Sequence, residues 1–505
     1  MILLWVLLLP LAGGLVAWAG GKTSRKVTVI APIIALALDC LLLVWLWGRH
    51  SGFAHAPGSF PWIAEFSMAW IPQFGIEFAL AMDGLALLMS LMVCTVSLAV
   101  FLVLGSSIPK NAGLHALLFM LAVTSVFGVF LSADLMLFFI FFEAMLLPTY
   151  ALMIGWGEGD QSRSAMRFFV FTQAGGLLML ISIIAVYMAH ATTTGEYTFS
   201  IVALAQNPMS GPLSLFCLLG FVIAFAVKLP LVPFHTWQPD AYAGSSTAVT
   251  ILLAALMTKT AGYGLIRFAI PLFPEASTLL APWMMGIGVA TILYASWLAF
   301  GQSDLKRIVA YSSAAHLGYV VLGAFAMNEI GHRGAIIQMF CHGISVTGVF
   351  FIIDWIERRA NTRNIAELGG LSHSAPRMGA IAMVFVMATL GLPGLGNFIG
   401  EFFTLTGAFQ AHWLAGSLAA TGAVLAAAYS LRIMQQVFFG PKRDLPEGHE
   451  PYNLLLPVAT VLIIILVYVG MHPGPVLEAA NSATGFGAID TRMNPTDALL
   501  VGNVR

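Results

Sequence analysis

The sequence predicts an all-α polytopic membrane protein with about fourteen transmembrane helices. Three observations predict it. First, of 505 residues 59% are hydrophobic and only 9% charged, with a mean hydropathy of +0.90, whereas soluble domains carry about 25% charged residues. A chain this long and this apolar cannot cover its surface with polar groups. Second, apolar runs near the length that crosses a bilayer as helix, about 20 residues, recur at even spacing. Third, Lys and Arg are distributed unevenly between alternate links, as they are in spanning proteins.

The runs lie at roughly 2–20, 27–47, 77–104, 112–132, 135–156, 166–190, 212–237, 246–270, 280–301, 305–326, 334–356, 377–410, 412–437 and 452–471. The links are mostly short, so residues 1–471 read as one helical domain. The first run has no positively charged segment before it and no clear cleavage site, so it reads as a retained helix. The long link 48–76 mixes polar residues with Phe60, Trp62, Phe66 and Trp70 and is expected to form an interfacial hairpin. Residues 472–505, rich in Gly, Asn and Asp, read as a peripheral tail.

With the N-terminus outside, the inside links hold Lys22, Arg25, Lys26, Lys110, Arg163, Arg167, Lys306, Arg307, Arg358, Arg359, Arg363, Arg377, Arg432, Lys442 and Arg443. The outside set is Arg49, Arg267, Arg333, Arg492 and Arg505, which puts the 472–505 tail outside as well. A net charge of -1 provides no basic field for nucleic acid. Cys40, Cys94, Cys217 and Cys341 all fall within apolar runs and form no CxxC pair, so no disulfide framework, zinc site or iron–sulfur site is indicated.

Ionisable residues in mid-span cost about 2.5–3.5 kcal/mol on insertion scales and usually mark a pathway. Glu143 (FFIFFEAMLLP), Lys228, Lys259, His316 and Glu401 are such residues, and His342 is a sixth, which is able to stay neutral. Any one of them alone is explained by a buried pair tying helices together, and either histidine by a hydrogen-bonded core role. Five on separate helices point to a path. Helical spacing lines Ser312 up with His316 and Tyr319, Gln338 with His342 and Ser345, and Lys259 with Tyr263. These stripes supply donors and acceptors for ordered water. No metal-ligand spacing accompanies the histidines.

Two helices are expected to be broken, the seventh by Pro230 and Pro233 just after Lys228, the twelfth by Gly391, Pro393, Gly394 and Gly396 just before Glu401. Irregular backbone at membrane depth is tolerated where protein or a cavity surrounds it. Glu143 and Lys228 are 85 residues apart, and so are His316 and Glu401. That spacing suggests two five-helix repeats, runs four to eight and nine to thirteen. The Leu229-Pro230 and Leu392-Pro393 breaks, however, are offset by 163 rather than 173 residues.

The stretches AMDGLALLM (81–89), FFEAMLLPTY (141–150), AFAVKLPLVPFHTW (224–237), TKTAGYGLIRF (258–268), SDLKRIVAYSSAAHLGY (303–319) and LPGLGNFIGEF (392–402) together resemble the antiporter-like subunits of proton-pumping NADH–quinone oxidoreductase, respiratory complex I. The resemblance covers nearly the whole chain, and within that family it is to the M type, subunit 4 of mitochondria. It implies fourteen helices with two inverted five-helix repeats. By position it implies that Glu143 is the helix-5 glutamate paired with the helix-7 lysine, Lys228. Lys259 would then be the central helix-8 lysine, His316 and His342 members of a hydrophilic axis, and Glu401 the helix-12 group near the exit, a lysine in the sister types. One stretch departs: many relatives read W-L-P-D-A-H where this chain has WQPDAYAGSSTAV, with Gln238 and Tyr242.

The expected function is a proton-translocating membrane-arm subunit in the bacterial inner membrane, working beside sister antiporter-like subunits. The chain has no dinucleotide fingerprint and no cysteine cluster. The resemblance therefore implies that NADH, flavin, iron–sulfur clusters and quinone are handled by partner subunits, with none bound here. The alternatives are a subunit of a multi-subunit Na+/H+ antiporter or of a membrane-bound hydrogenase arm, which share the charged sites, and a solute transporter, for which no recognition pocket is visible.

Overall fold

Without water in the hydrocarbon core, every backbone N–H and C=O must be satisfied within the protein, which favours long helices. The computed structural model describes residues 1–49, 62–108, 110–443 and 454–484. The main helices are α1 (Ile2–Gly20), α2 (Val27–Arg49), α3 (Gly84–Leu104), α4 (Ala112–Leu131), α5 (Leu135–Trp156), α6 (Gln161–Thr194), α7 (Pro212–Lys228) and α8 (Thr247–Leu272). They continue with α9 (Pro274–Gly301), α10 (Leu305–Ala324), α11 (Glu329–Ala360), α12 (Pro376–Thr389), α13 (Gly396–Ala411), α14 (Trp413–Phe438), α15 (Leu455–Met471) and α16 (Gly474–Thr484).

Among the described residues, ten helices are long and apolar enough to cross a bilayer. The other four expected positions hold helices that are short, polar or broken. Both α7 and α15 have 17 residues, and α10 carries Lys306 and Arg307 in its first turn. The twelfth run is split into α12 and α13. The centre is formed by α8 and α11, both buried along their whole apolar length, while α1, α2, α6 and α14 expose one face.

Each break has a local cause. Pro148 has no N–H for the Ala144 carbonyl, and α5 turns tightly at Met145, just after Glu143. Pro230 removes the donor owed to Ala226, whose carbonyl is instead met by the Leu231 N–H at 2.9 Å. The Trp237 indole donates to the Val227 carbonyl at 2.8 Å, so Lys228 stands at a sealed helix end. Between α12 and α13 the chain passes through the left-handed region at Gly391 (φ 77) and Gly394 (φ 96), where side chains with a Cβ are strained. Wide π turns interrupt α8 at Leu252–Met257 and Leu265–Ala269.

The structure differs from the sequence reading in three places. The expected third run, 77–104, gives up its start to a strand: Ala64–Ile71 and Ile76–Met82 pair antiparallel, Ala64 opposite Met82. Asp83 then caps α3 by accepting the Ala86 N–H at 2.9 Å, which fixes where the helix begins. The hairpin thus covers 64–82 rather than 48–76, and Phe60 lies outside the described residues. Arg267, counted with the outside links, is a buried residue of α8 paired with Asp83. The tail begins with α16, which turns back at 81° and packs against α3 and α11, with Ala479 and Ala480 fully buried. Residues 485–505 lie outside the described residues.

Candidate functional site

Lys259 is fully buried on α8, two residues beyond the first π turn. Its amino group lies within hydrogen-bond distance of three groups: it donates to the Ala254 carbonyl at 2.5 Å and the Thr258 hydroxyl at 3.3 Å, and it is 2.8 Å from His342 Nδ1. The wide turn supplies the first of these. It leaves the Ala254 carbonyl open to side-chain donors, and the Thr258 hydroxyl shares it at 2.9 Å.

His342 lies on α11, on the face that also carries Gln338 and Ser345. Its ring centroid is 5.4 Å from that of His316 on α10. His316 Nδ1 lies 3.0 Å from Glu401 Oε1 on α13. The Gln338 amide donates to the same carboxylate oxygen at 3.2 Å and lies 3.4 Å from His316 Nδ1. Asn397, one turn before Glu401, donates to the Ser345 hydroxyl at 3.1 Å, and that hydroxyl donates to the His342 carbonyl at 3.3 Å. This packing needs α13 very close to α11. Gly400 makes room, since a Cβ there would sit 2.7 Å from the Gln338 backbone nitrogen. Lys259, His342, His316 and Glu401 thus form one buried row across four helices, spaced for proton exchange directly or through single waters.

Glu143 and Lys228 form a separate group. Lys228, at the end of α7, donates to the Phe142 carbonyl at 2.9 Å and lies 3.5 Å from the centre of the Phe142 ring. The position suits a cation, because unsatisfied carbonyls gather at a helix C-terminus. Glu143 is half-buried, and its Oε2 has no hydrogen-bond partner. Its Oε1 occupies space left by Gly176 on α6. Among the described residues no ion pair within 4.0 Å joins Glu143 to Lys228, and no hydrogen bond joins either to Lys259.

Two of the expected stripes divide. Ser312 and Tyr319 bond towards α14 rather than to His316, Ser312 to the Tyr429 hydroxyl at 2.9 Å and Tyr319 to the Ala419 carbonyl at 3.2 Å, although the Tyr319 ring stays beside that of His316 at 6.5 Å between centroids. Tyr263 leaves Lys259 altogether. Its hydroxyl donates to the Phe130 carbonyl at 2.8 Å and accepts from Arg267 Nε at 3.3 Å. Gln338 and Ser345 stay with the row. The Arg267–Asp83 pair was missed although both residues lie within motifs singled out above. Asn397 was also missed, as was Asp39, a fully buried acid of α2 whose two oxygens lack hydrogen-bond partners. Among the described residues no group of His, Cys, Asp or Glu is placed to hold a metal ion.

Residues 132–426, which carry all six of these ionisable groups, match the family described as NADH:quinone oxidoreductase/Mrp antiporter, TM. NADH-quinone oxidoreductase subunit M of Escherichia coli is 39% identical over 96% of this chain and 97% of its own length. The chain belongs to the NADH-quinone oxidoreductase subunit M family. The subunit M of Mycobacterium tuberculosis is 33% identical over 95% of this chain and 92% of its own. A chain of respiratory complex I from Thermus thermophilus superposes with a TM-score of 0.85 at 28% identity, covering 97% of this chain and all of that one. A chain of the Mrp complex from a Dietzia species reaches 0.82 at 21% identity, a likeness of fold alone. As a subunit M family member that has, among its described residues, ten helices long and apolar enough to cross a bilayer, the chain is an integral membrane protein.

Proposed function

We propose that this chain is the proton-translocating subunit M of a bacterial inner-membrane NADH–quinone oxidoreductase, moving H+ along the row Lys259–His342–His316–Glu401. The observation that carries the reading is the row itself: four ionisable side chains from four helices, each at most 8% exposed, in successive contact. A purely structural tie between helices needs no more than one buried pair. A row in which each imidazole touches both neighbours suits transfer instead.

The redox chemistry lies on partner subunits, which hold NADH, flavin, iron–sulfur clusters and quinone, and sister antiporter-like subunits lie alongside in the bilayer. The chain is oriented with its N-terminus outside and its Lys/Arg-rich end inside, with fourteen spans in two inverted five-helix repeats. Glu143, as a carboxylate near Lys228, stabilises the charged lysine through Coulomb attraction. A change in that field alters the charge met by a proton on Lys259. Protons pass by way of His342 and His316 to Glu401, which lies beside the α12–α13 break, where Leu392 and Pro393 are exposed. Moving one charge against 100 mV requires about 2.3 kcal/mol, which the partner redox reaction supplies.

Lys259→Met tests the reading in membrane vesicles containing the assembled complex. It keeps the side-chain length and removes the proton carrier. Loss of proton translocation with the complex intact is expected, and translocation at the parent rate contradicts the reading. Membership of an antiporter instead of a redox complex is distinguished by whether flavin and iron–sulfur subunits co-purify.

A further inference from the structure

Two of the four cysteines meet, on helices that the row does not use. Cys94 of α3 points at α2, where its thiol donates to the Leu36 carbonyl at 2.9 Å. In a helix that carbonyl is the acceptor for the N–H one turn on, which is the Cys40 N–H. Cys94 Sγ therefore stands at the α2 backbone beside Cys40, and the two thiols adjoin. Helices packed side by side, with one sulfur at the backbone of the other cysteine, bring two Cα atoms as near as a disulfide requires. The other two thiols have different surroundings: Cys217 lies on α7, and Cys341 of α11 packs against Gly396.

The pair is unequal. Cys94 is fully buried, whereas Cys40 is half-buried and lines an apolar groove of about 420 Å³ between α2, α3 and α15. The groove runs from Leu102 and Leu454, near the ends of α3 and α15, to Cys40 and Ile465 at mid-helix. Its wall residues Leu454 and Val461 are 46% and 53% exposed, so it opens on the surface that faces lipid. A groove of this lining admits an acyl-like molecule and rejects a charged one. Asp39, the residue before Cys40, is fully buried beside both thiols, and neither of its oxygens has a hydrogen-bond partner. A carboxylate with both oxygens uncommitted next to a dithiol is placed to take a thiol proton.

We propose that Cys40 and Cys94 form a peroxide-sensitive dithiol, which a membrane-soluble organic hydroperoxide entering by this groove converts to a disulfide tying α2 to α3. The Asp39 carboxylate takes the Cys40 proton, since the thiolate is the nucleophile. The Cys40 sulfur attacks the terminal peroxide oxygen and the O–O bond breaks. The alkoxide takes the proton back from Asp39 and leaves as alcohol, and Cys40 is left as sulfenic acid. The Cys94 sulfur then attacks the Cys40 sulfur, and hydroxide leaves with the Cys94 proton as water. Two thiols and one hydroperoxide give one disulfide, one alcohol and one water, with two electrons passing from sulfur to the peroxide. The exposed Cys40 reacts first, and the buried Cys94 resolves it. The site stands apart from the row and does not depend on how protons move there.

The test uses the assembled complex in membrane vesicles. The vesicles are exposed to cumene hydroperoxide, then denatured, labelled with a maleimide and mapped by peptide mass spectrometry. A peptide linked through Cys40 and Cys94 should appear, with Cys217 and Cys341 still labelled, and a dithiol reductant applied after denaturation should restore both lost labels. In Cys94→Ser the oxidation should stop at Cys40, where dimedone present during exposure captures the sulfenic acid. In Asp39→Asn, with assembly unchanged, linking should slow severalfold. Cys40 and Cys94 both remaining free after the exposure overturns the proposal, and so does equal loss of all four thiols, which is unselective oxidation. An unchanged linking rate in Asp39→Asn overturns the proton step assigned to that carboxylate.

Discussion

His316 Nδ1 and Glu401 Oε1 are 3.0 Å apart across the α10–α13 interface, and the Gln338 amide holds the same oxygen at 3.2 Å. The carboxylate is therefore fixed on one oxygen. The other, Oε2, is turned towards Gly391 in the exposed break, where a Cβ would come within 2.6 Å. One side of Glu401 faces the row and the other faces the break, as the proposed release of a proton there would need.

Gln338 gives the first prediction. Gln338→Leu removes the amide that orients Glu401 and leaves the His316 contact alone. Translocation should fall while the complex assembles, because the carboxylate is then free to leave the imidazole. Gln338→Glu places a second acid against Glu401 and should be more harmful. Proton uptake by vesicles, normalised to electron transfer, checks both, and a parent-level ratio in Gln338→Glu contradicts the assignment.

Glu143 gives the second. In the proposed mechanism its carboxylate acts on Lys228 through its field, since no ion pair within 4.0 Å joins them, so charge should matter more than shape. Glu143→Gln should assemble and translocate poorly, whereas Glu143→Asp, which keeps the charge and moves it by one methylene, should retain much of the activity. Equal loss in both variants would show that geometry, not charge, is what Glu143 provides.

The Arg267–Asp83 pair gives a stability prediction. Both side chains are at most 2% exposed, joining α8 to the start of α3. Removing one partner of a buried pair costs about 3–5 kcal/mol, because the other charge is left without compensation. Asp83→Leu should therefore lower the yield of assembled complex and its thermal stability. Asp83→Leu with Arg267→Met should recover part of the loss. No recovery in the double variant would mean that the pair's hydrogen bonds to Tyr263 and the α3 cap matter more than charge balance.

Much of this was legible in the sequence, for reasons that differ by residue. Lys259, His316, His342 and Glu401 stood out because an ionisable group in an apolar helix is costly and rare. The breaks at Pro230 and at Gly391–Gly394 followed from proline's missing N–H and glycine's freedom. The strand Ile76–Met82 was not legible: six apolar residues interrupted only by Glu77 and leading into an apolar helix read as more helix, since a short apolar run has no period that separates the two. Arg267 was misplaced because it sits near the end of its run, and only the fold shows that Asp83 reaches it. The π turn that presents the Ala254 carbonyl to Lys259 arises from competition among donors in three dimensions and leaves no sequence mark. Likewise, helical spacing placed Ser312, His316 and Tyr319 on one face, but neighbouring helices decide that only His316 meets the row.

Orientation gives the fourth prediction. Arg358, 46% exposed at the end of α11, belongs to the Lys/Arg-rich end. In a background without native cysteines, Arg358→Cys should react with a membrane-impermeant thiol reagent applied from the inside and not from the outside. Labelling from the outside alone would reverse the topology and, with it, the direction assigned to the row.

Proton translocation by Glu401→Gln tests the central claim most directly. The amide keeps the size of the carboxylate and its place beside His316, but it cannot take up and release a proton. Vesicles carrying the assembled variant complex should show electron transfer with a clearly lowered number of protons moved per electron. If the variant moves protons at the parent ratio, Glu401 is only a packing contact below the helix break, and the row does not end where the structure places its terminal carboxylate.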